Sequence, residues 1–527
     1  MPTTPHVKTS EPTILARPTR NGWGRDGPIE RQIEGLGEKH PSPRNASWLA
    51  VGRWPTMVSN MNAHDYPEFQ AFVDKLGEAE MPPKLAQEFG RRYAAYRAGD
   101  SGKVNWDEVR PAAEEDIVDA TELSELDEAQ VRKVARELVC IKLNGGLGTT
   151  MKLARAKSLI AVREGRSFLG LIADQISALR QRCAVEVPLL LMNSYRTRAD
   201  SLAELEAVGF AQRGLPLDFL QHKVPRIDAE TKLPVTLPPG NEAEEWTPPG
   251  HGDVYLALAL GGLLETLLER GVRWAFVSNV DNLGATIDPR IPAHLAVAGL
   301  DFAMEVTPKT PADIKGGPLA RCRDRLTLIE GSQVPEHALA EFEDIGRFKE
   351  FNTNSLWWNV EAVRDAIGAD RLEMPMIVNA KTVLGKDVVQ LETAMGAAIG
   401  SFERAGGLRV SRRRFAPVKA TSDLLGVRSD AYTLDEAGGL RPNPARDEAL
   451  GPPLIELDER FYRGIADFEA RFPTPPSLLA CRSLRIIGDV TFGRGVVLSG
   501  DVEIRVGGEG RRTIEDGACL TNTTLKL

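Results

Sequence analysis

No segment of this 527-residue chain is long and apolar enough to suggest a bilayer span. The most apolar stretch, Val254–Leu268, falls short of the roughly 20 residues a spanning helix needs, and it carries Glu265. Cysteine is scarce: Cys140, Cys183, Cys322, Cys481 and Cys519 stand far apart. An odd number with no CxxC pair argues against a disulfide framework and fits a reducing compartment. Histidine is nearly as sparse, seven in all and never four apart, which excludes an HExxH zinc helix. Basic excess is missing too. Lys and Arg total 65 against 74 Asp and Glu, a net charge of −9, which argues against a general nucleic-acid or anionic-membrane coat. The first twenty residues lack the apolar core of a secretory signal. These absences lead to the expectation of a cytoplasmic, enzyme-sized protein with no nucleic acid and no membrane as partner.

What is present has the balance of a globular protein, 42% hydrophobic and 26% charged, in a chain long enough for several domains. Residues 1–45 are rich in Pro, Thr, Gly and Arg without apolar periodicity, and read as a mobile tail, with a transit peptide as the alternative. Residues 46–135 read as a helical region: Phe69, Phe72, Val73 and Leu76 recur at helical spacing, and a further helix is predicted from Leu126 to Leu138.

From 136 to 425 the texture changes. Short apolar runs (Leu138–Leu143, Val187–Met192, Trp274–Val280, Asp301–Thr307) alternate with helical stretches at Phe168–Arg182, Arg198–Val208, Val254–Arg270 and Pro292–Val297. That alternation predicts an α/β fold, a doubly wound and mostly parallel sheet with ligands at the carboxyl ends of its strands. The last region, 426–527, ends in a six-residue period. Leu484, Val490, Val496 and Val502 form one phase; Ile486, Phe492, Leu498 and Ile504 form a second. Two sustained phases predict a short parallel β-helix, with ordinary hairpins as the alternative.

The chemistry starts at Leu143–Thr150, LNGGLGTT, directly after a predicted strand. Glycines there let backbone amides approach an anion closely, yet the spacing is neither a P-loop nor a dinucleotide fingerprint. With Met151 and Lys157 added, the string resembles the nucleotide-binding loop of the UTP–glucose-1-phosphate uridylyltransferase (UDP-glucose pyrophosphorylase) family of the eukaryotic type. The resemblance continues in order through LLLMNSYRT (189–197), FLQHKVPRI (219–227), WTPPGHGDVYLAL (246–258) and FVSNVDNLGATID (276–288). It is completed by MEVTPKTPADIKGGPL (304–319), FNTNSLWWN (351–359), IVNAKT (377–382), QLETAMGAAI (390–399) and RRRFAPVKATSDLL (412–425).

The resemblance implies a Rossmann-like, GT-A-like nucleotidyltransferase domain followed by a left-handed β-helix. It also implies a reaction. The phosphate of glucose 1-phosphate attacks the α-phosphorus of UTP, and pyrophosphate leaves. The nucleophile is already an anion, so the task is in-line placement and charge neutralisation. By motif match, Lys157 and Lys419 take the catalytic roles. Leu143, Asn144, Gly145, Gly146, Gly148, Thr149, Gln221, Gly250 and His251 take the nucleotide. His251 also serves the sugar phosphate, with Asn279, Gly316, Gly317, Glu330, Asn352 and Asn354. Asp281 is the expected ligand of Mg²⁺. UTP and glucose 1-phosphate are thus the expected small-molecule partners, and a homo-oligomer through the β-helix is one possible assembly. Because all these motifs lie before residue 425, deleting the segment after about Ser483 is expected to change assembly state or stability but to leave nucleotide binding largely intact. Asp253 reads as a helix cap.

The sequence departs from the family pattern in two places, mildly at Ser355, where Asn is more usual after FNTN, and more strongly in one loop. Lys152, Leu153, Ala154, Arg155 and Ala156 stand where the family usually has Gly-Cys-Lys-Gly-Pro. Lys152 and Arg155 are therefore candidates to share the phosphate role. The competing readings are a UDP-sugar or UDP-N-acetylhexosamine pyrophosphorylase, and a non-catalytic nucleotide-sugar-binding protein. The hexosamine enzymes prefer an Ala-Gly-Gly-Gln-Gly-Thr-Arg loop, unlike Asn144 and Leu147 here.

Overall fold

The computed structural model of the chain describes residues 63–148, 151–153, 155–310 and 313–527. The tail expected over 1–45 and the candidate Thr149 lie outside the described residues.

The centre is an eight-stranded sheet. In chain order its strands are β1 (Ile117–Asp119), β2 (Leu138–Asn144), β3 (Leu189–Asn193), β4 (Asp218–Leu220), β5 (Trp274–Asn279), β6 (Phe302–Pro308), β7 (Glu350–Asn359) and β8 (Ala405–Arg409). Across the sheet they run β1-β8-β6-β7-β5-β2-β3-β4. Neighbours pair in parallel except at β7, which is antiparallel to both β5 and β6. The expected parallel, doubly wound order is therefore interrupted by one reversed strand. The predicted helix Val254–Arg270 is broken as well, into Asp253–Leu260 and Leu263–Glu269. Gly262 at φ +69° makes the break, a backbone state that costs glycine nothing.

Strand alternation sorts the core to two faces. Leu138 and Cys140 of β2, Phe276 of β5 and Trp357 of β7 pack with Phe168, Ile172 and Ile176 of the helix Phe168–Cys183. Val139 and Ile141, Ala275 and Val277, and Trp358 pack on the opposite face with Val254, Tyr255 and Leu258. A separate aromatic cluster, Phe69, Phe72, Phe89 and Tyr93, joins the helices Phe69–Glu78 and Pro83–Arg97. Its first helix carries the spacing read from the sequence.

The C-terminal region contains β9 (Leu454–Leu457), β10 (Ser477–Ile487), β11 (Val490–Phe492), β12 (Val497–Arg505), β13 (Arg512–Ile514) and β14 (Cys519–Lys526). All their pairings are parallel, β9-β10-β12-β14 in one sheet and β11-β13 in another. Both six-residue phases point inward, from Leu484 to Val502 and from Ile486 to Ile504. This packing is continuous with the first face of the central sheet. Phe472 stacks on Phe492 at 4.7 Å between ring centres, and the buried Tyr462 hydroxyl donates to the Val490 carbonyl at 2.8 Å. Cutting after Ser483 would strip Val490 and Phe492 from that core. A cost in stability on removing this segment follows from that packing. Among the described residues no helix is long and apolar enough to cross a membrane.

Candidate active site

The candidate residues come together at the carboxyl ends of β2, β3, β4, β5, β6 and β8, where the reversed β7 contributes its beginning instead. β2 ends at Leu143 and Asn144, both buried. Asn144 turns its amide inward, donating to Asn193 Oδ1 and Ser201 Oγ, each at 2.7 Å. It thus ties the ends of β2 and β3 together. Gly145 follows, and a Cβ there would sit 2.6 Å from Gln221 Oε1. Gln221 is buried, hung from the Asn193 carbonyl by its own N–H at 2.8 Å. Its Nε2 donates to the Gly250 carbonyl at 2.9 Å, which leaves Oε1 facing Gly145 as an acceptor. Gly148 is buried and Gly146 exposed.

Gly250 adopts φ +87° with Thr393 against its Cα, so any Cβ would collide with backbone. Thr393 exchanges backbone bonds with Pro249 and Gly252, and the next turn holds His251: the Met395 N–H donates to His251 Nδ1 at 3.1 Å. Burial lowers the His251 pKa to about 4, so the ring is neutral and carries its proton on Nε2. Asp253 does not cap its helix. Its buried carboxylate accepts from the His222 N–H at 2.7 Å and pairs with His222 Nδ1 at 2.9 Å, fixing the residue next to Gln221.

Asp281 follows the end of β5. Lys157 Nζ lies 2.6 Å from Asp281 Oδ2, with both side chains 15% exposed, while Asp281 Oδ1 is buried without a hydrogen-bond partner. The Val418 N–H donates to the Asp281 carbonyl at 3.1 Å, which brings the exposed Lys419 to the same place. Asp423 Oδ2 accepts from the N–H groups of Lys419 and Ala420 at 2.7 and 2.9 Å. Burial raises the Asp423 pKa, against the pull of Lys157 and Lys419.

On the other side, β7 bulges opposite Glu305, where its pairing with β6 shifts register. Asn354 takes φ +59° there and donates to Asn279 Oδ1 at 3.0 Å, while its N–H binds Asn352 Oδ1 at 2.8 Å. Asn352 N–H binds the Gly317 carbonyl at 2.9 Å. A Cβ on Gly317 would come within 2.6 Å of the Ile329 carbonyl, and one on Gly316 within 2.7 Å of Phe351. Glu330 follows Ile329; burial raises its pKa, and Lys419 opposes that shift. Lys419 therefore senses both Glu330 and Asp423.

Two candidates point elsewhere. Lys152 lies 3.8 Å from Asp467, and Arg155 lies 3.5 Å from Asp200, all on open surface. Conversely, Lys142, Asn282, Glu305 and Arg414, none of them assigned a site role from sequence, lie buried or half-buried under the site. Lys142 donates to Ser278 Oγ and the Ala285 carbonyl at 2.7 and 2.8 Å, and its partners come from distant segments. The available signal was a charge inside an apolar run: Lys142 in LVCIKL and Glu305 in FAMEVTP.

With this geometry in hand, comparison decides the family. The family model described as UTP–glucose-1-phosphate uridylyltransferase matches residues 86–499. The chain belongs to that family. It is 44% identical over 430 residues to the UTP–glucose-1-phosphate uridylyltransferase of Solanum tuberosum, covering 81% of this chain and 89% of the relative. The enzyme of the same name from Hordeum vulgare is 43% identical, over 85% of this chain and 94% of its own. Among solved structures, UDP-glucose pyrophosphorylase from Leishmania major superposes with a TM-score of 0.81 at 36% identity, covering 88% of this chain and 99% of that one. The family's fold therefore extends over most of the described chain.

Proposed function

We propose that the chain makes UDP-glucose and pyrophosphate from UTP and glucose 1-phosphate. Family membership supports the reaction. The observation that carries it is the meeting of Lys157 and Lys419, from loops far apart in sequence, on either side of Asp281 and beside a glycine-walled acceptor at Gln221. Gln221 Oε1 takes the N3–H of uracil. Cytosine has an acceptor at that position, so it would leave Oε1 unpaired, a loss of about 1–3 kcal/mol. Gly145 and Gly146 leave room for the base and expose backbone N–H groups to it.

The chain's residues then do three things. The Asn279–Asn354 pair, Asn352 and Glu330 hold the glucose hydroxyls. His251, neutral and protonated on Nε2, donates toward a phosphate without needing a counter-charge. Lys157 and Lys419 stabilise charge that builds as the sugar phosphate attacks and pyrophosphate leaves. No side chain has to remove a proton from the nucleophile. The orphaned, buried Asp281 Oδ1 fits Mg²⁺, which takes one or two carboxylates plus phosphate oxygens. Bound Mg²⁺ would supply charge neutralisation on the triphosphate.

The inward six-residue phases and parallel pairing support reading 477–527 as coils of a parallel β-helix, whose left hand is what the family resemblance implies. Its edge strand β14 is the surface a second copy would use. Five free cysteines, four of them buried, support a cytoplasmic setting. Purified protein incubated with UTP, glucose 1-phosphate and Mg²⁺ should release pyrophosphate, with ATP and CTP poor substitutes. No release above a no-enzyme control across several sugar phosphates would overturn the reading.

A further inference from the structure

Glu305 sits in the middle of β6, fully buried. Its carboxylate is gripped by Arg414, Nε to Oε2 at 3.0 Å and Nη2 to Oε1 at 2.6 Å, and Oε1 also accepts from Trp357 Nε1 at 2.8 Å. The same guanidinium donates to the Thr286 carbonyl at 2.8 Å. A buried ion pair adds little net stability compared with apolar packing, because desolvation offsets the attraction. What a two-point Arg fork does provide is fixed orientation.

The orientation is passed to the loop that bears Lys419. The Arg414 carbonyl accepts from Asn282 Nδ2 at 3.1 Å, and Asn282 Oδ1 accepts from the Ala416 N–H at 3.0 Å. The Val418 N–H then binds Asp281. Residues 414, 416 and 418 are thus pinned in turn, and Lys419 is next. Glu305 also faces the β7 bulge: its carbonyl accepts from Thr353 Oγ1 at 3.0 Å, between Asn352 and Asn354. One buried residue therefore braces both the lysine loop and the sugar side.

We infer that Glu305 and Arg414 are positioning residues that set Lys419 for transition-state contact, a step that rests on the assignment of Lys419 above. Glu305 has no surface to offer a substrate, and the Arg414 guanidinium is turned to Glu305 and the Thr286 carbonyl. A catalytic group displaced by ~1 Å can cost on the order of 10²-fold in rate. Arg414→Lys keeps the charge but loses the fork, and should lower kcat by about 10–100-fold, with KM for UTP within about twofold. Glu305→Gln, similar in shape, weakens the grip on Arg414 and should also lower kcat, with KM for glucose 1-phosphate within about twofold, because the Thr353 bond is to the Glu305 backbone carbonyl, which the substitution keeps. It serves as the second variant should Arg414→Lys fold poorly.

The deciding measurement is a cycle with Lys419→Ala in the full chain. UTP-binding stoichiometry counts the folded sites, so that a merely structural defect appears as fewer sites at unchanged turnover per site. If Arg414 acts through Lys419, adding Arg414→Lys to Lys419→Ala changes kcat less than about twofold. Full multiplication of the two losses, or normal kcat in Arg414→Lys, overturns the positioning role while leaving the Lys419 assignment intact. Normal kcat in Lys419→Ala alone overturns that assignment, and this inference with it.

Discussion

Two lysine-bearing loops meet at Asp281, and different physics holds each of them. The Lys419 loop is built into the core. Buried Asn282, the Glu305–Arg414 pair and Asp423 hold its backbone at successive residues, so the exposed ammonium stands on a fixed base. Among the described residues the Lys157 loop is tied mostly to itself. Leu147 bridges to Ala156, the Met151 and Leu153 N–H groups bind the Gly148 carbonyl, and the Lys157 side chain is held by Asp281 at 2.6 Å. One lysine is thus preorganised by the protein, whereas the other is parked on a carboxylate, which substrate phosphates would have to displace in the proposed role. An electrostatic catalyst benefits from the first arrangement because no reorganisation is left for the transition state. The second arrangement suits a group that must first admit its ligand.

The comparison is broken most directly at Lys419. Lys419→Ala should lower kcat by on the order of 10²–10³-fold with a smaller change in KM, the mark of an interaction made mainly in the transition state. Steady-state kinetics in both substrates checks it. Near-normal turnover would mean that the rigid loop presents the lysine for something else.

Asp281→Asn probes the other loop. It removes the partner of Lys157 and one charge from the proposed Mg²⁺ ligand. The Mg²⁺ concentration for half-maximal rate should rise by roughly 10–100-fold, as for loss of a ligand or its support. Metal-free UTP should bind no more weakly than to the parent protein, since Lys157 is released. Titrating UTP with and without Mg²⁺ separates the two effects. Weaker metal-free UTP binding in the variant would show that Lys157 is not parked on Asp281.

His251 sharpens the comparison through pH. Its folded pKa is lowered to about 4 from 6.5 by burial, so the unfolded chain binds the proton first on acidification. The stability it contributes is fully present above about pH 6.5 and is lost as pH falls toward about 4. Thermal melts across that window should show the parent losing more stability than His251→Gln. Between pH 6.5 and 8 the ring stays neutral, so the rate profile should carry no inflection from it.

How much of this was legible in sequence follows from range. The strand cores were readable because a short apolar run marks a strand buried on both faces, as in LVCIKL and WAFVSN. The helix break is written locally, in Gly261-Gly262, but it lies inside a continuous apolar run that reads as one helix. The reversal of β7 was not readable, because FNTN is polar at a strand start and its direction depends on β5 and β6. The Glu305–Arg414 pair spans 109 positions, a distance over which spacing says nothing. Motif resemblance located Gly145, Gln221, Asp281 and Lys419; only the fold brings Thr393 and Met395 behind Gly250 and His251.

The smallest effect is expected at Lys152, where sequence alone offered a phosphate ligand. The residue adopts φ +54°, a left-handed state that turns the chain just after Met151. Its side chain is 62% exposed and lies 3.8 Å from Asp467, on the helix Ile465–Arg471 in the C-terminal region. An exposed pair at that distance contributes about 0–1 kcal/mol, and salt screens it. Lys152→Ala should therefore leave kcat and KM for UTP within about twofold of the parent and shift Tm by a degree or so. Lys152→Gly would relieve the left-handed backbone and separates conformation from charge. A tenfold rise in KM for UTP in Lys152→Ala, but not in Asp467→Ala, would return Lys152 to the phosphate site. It would also show that the loosely tied loop swings its outer lysine inward when nucleotide arrives, making the contrast with the Lys419 loop larger still.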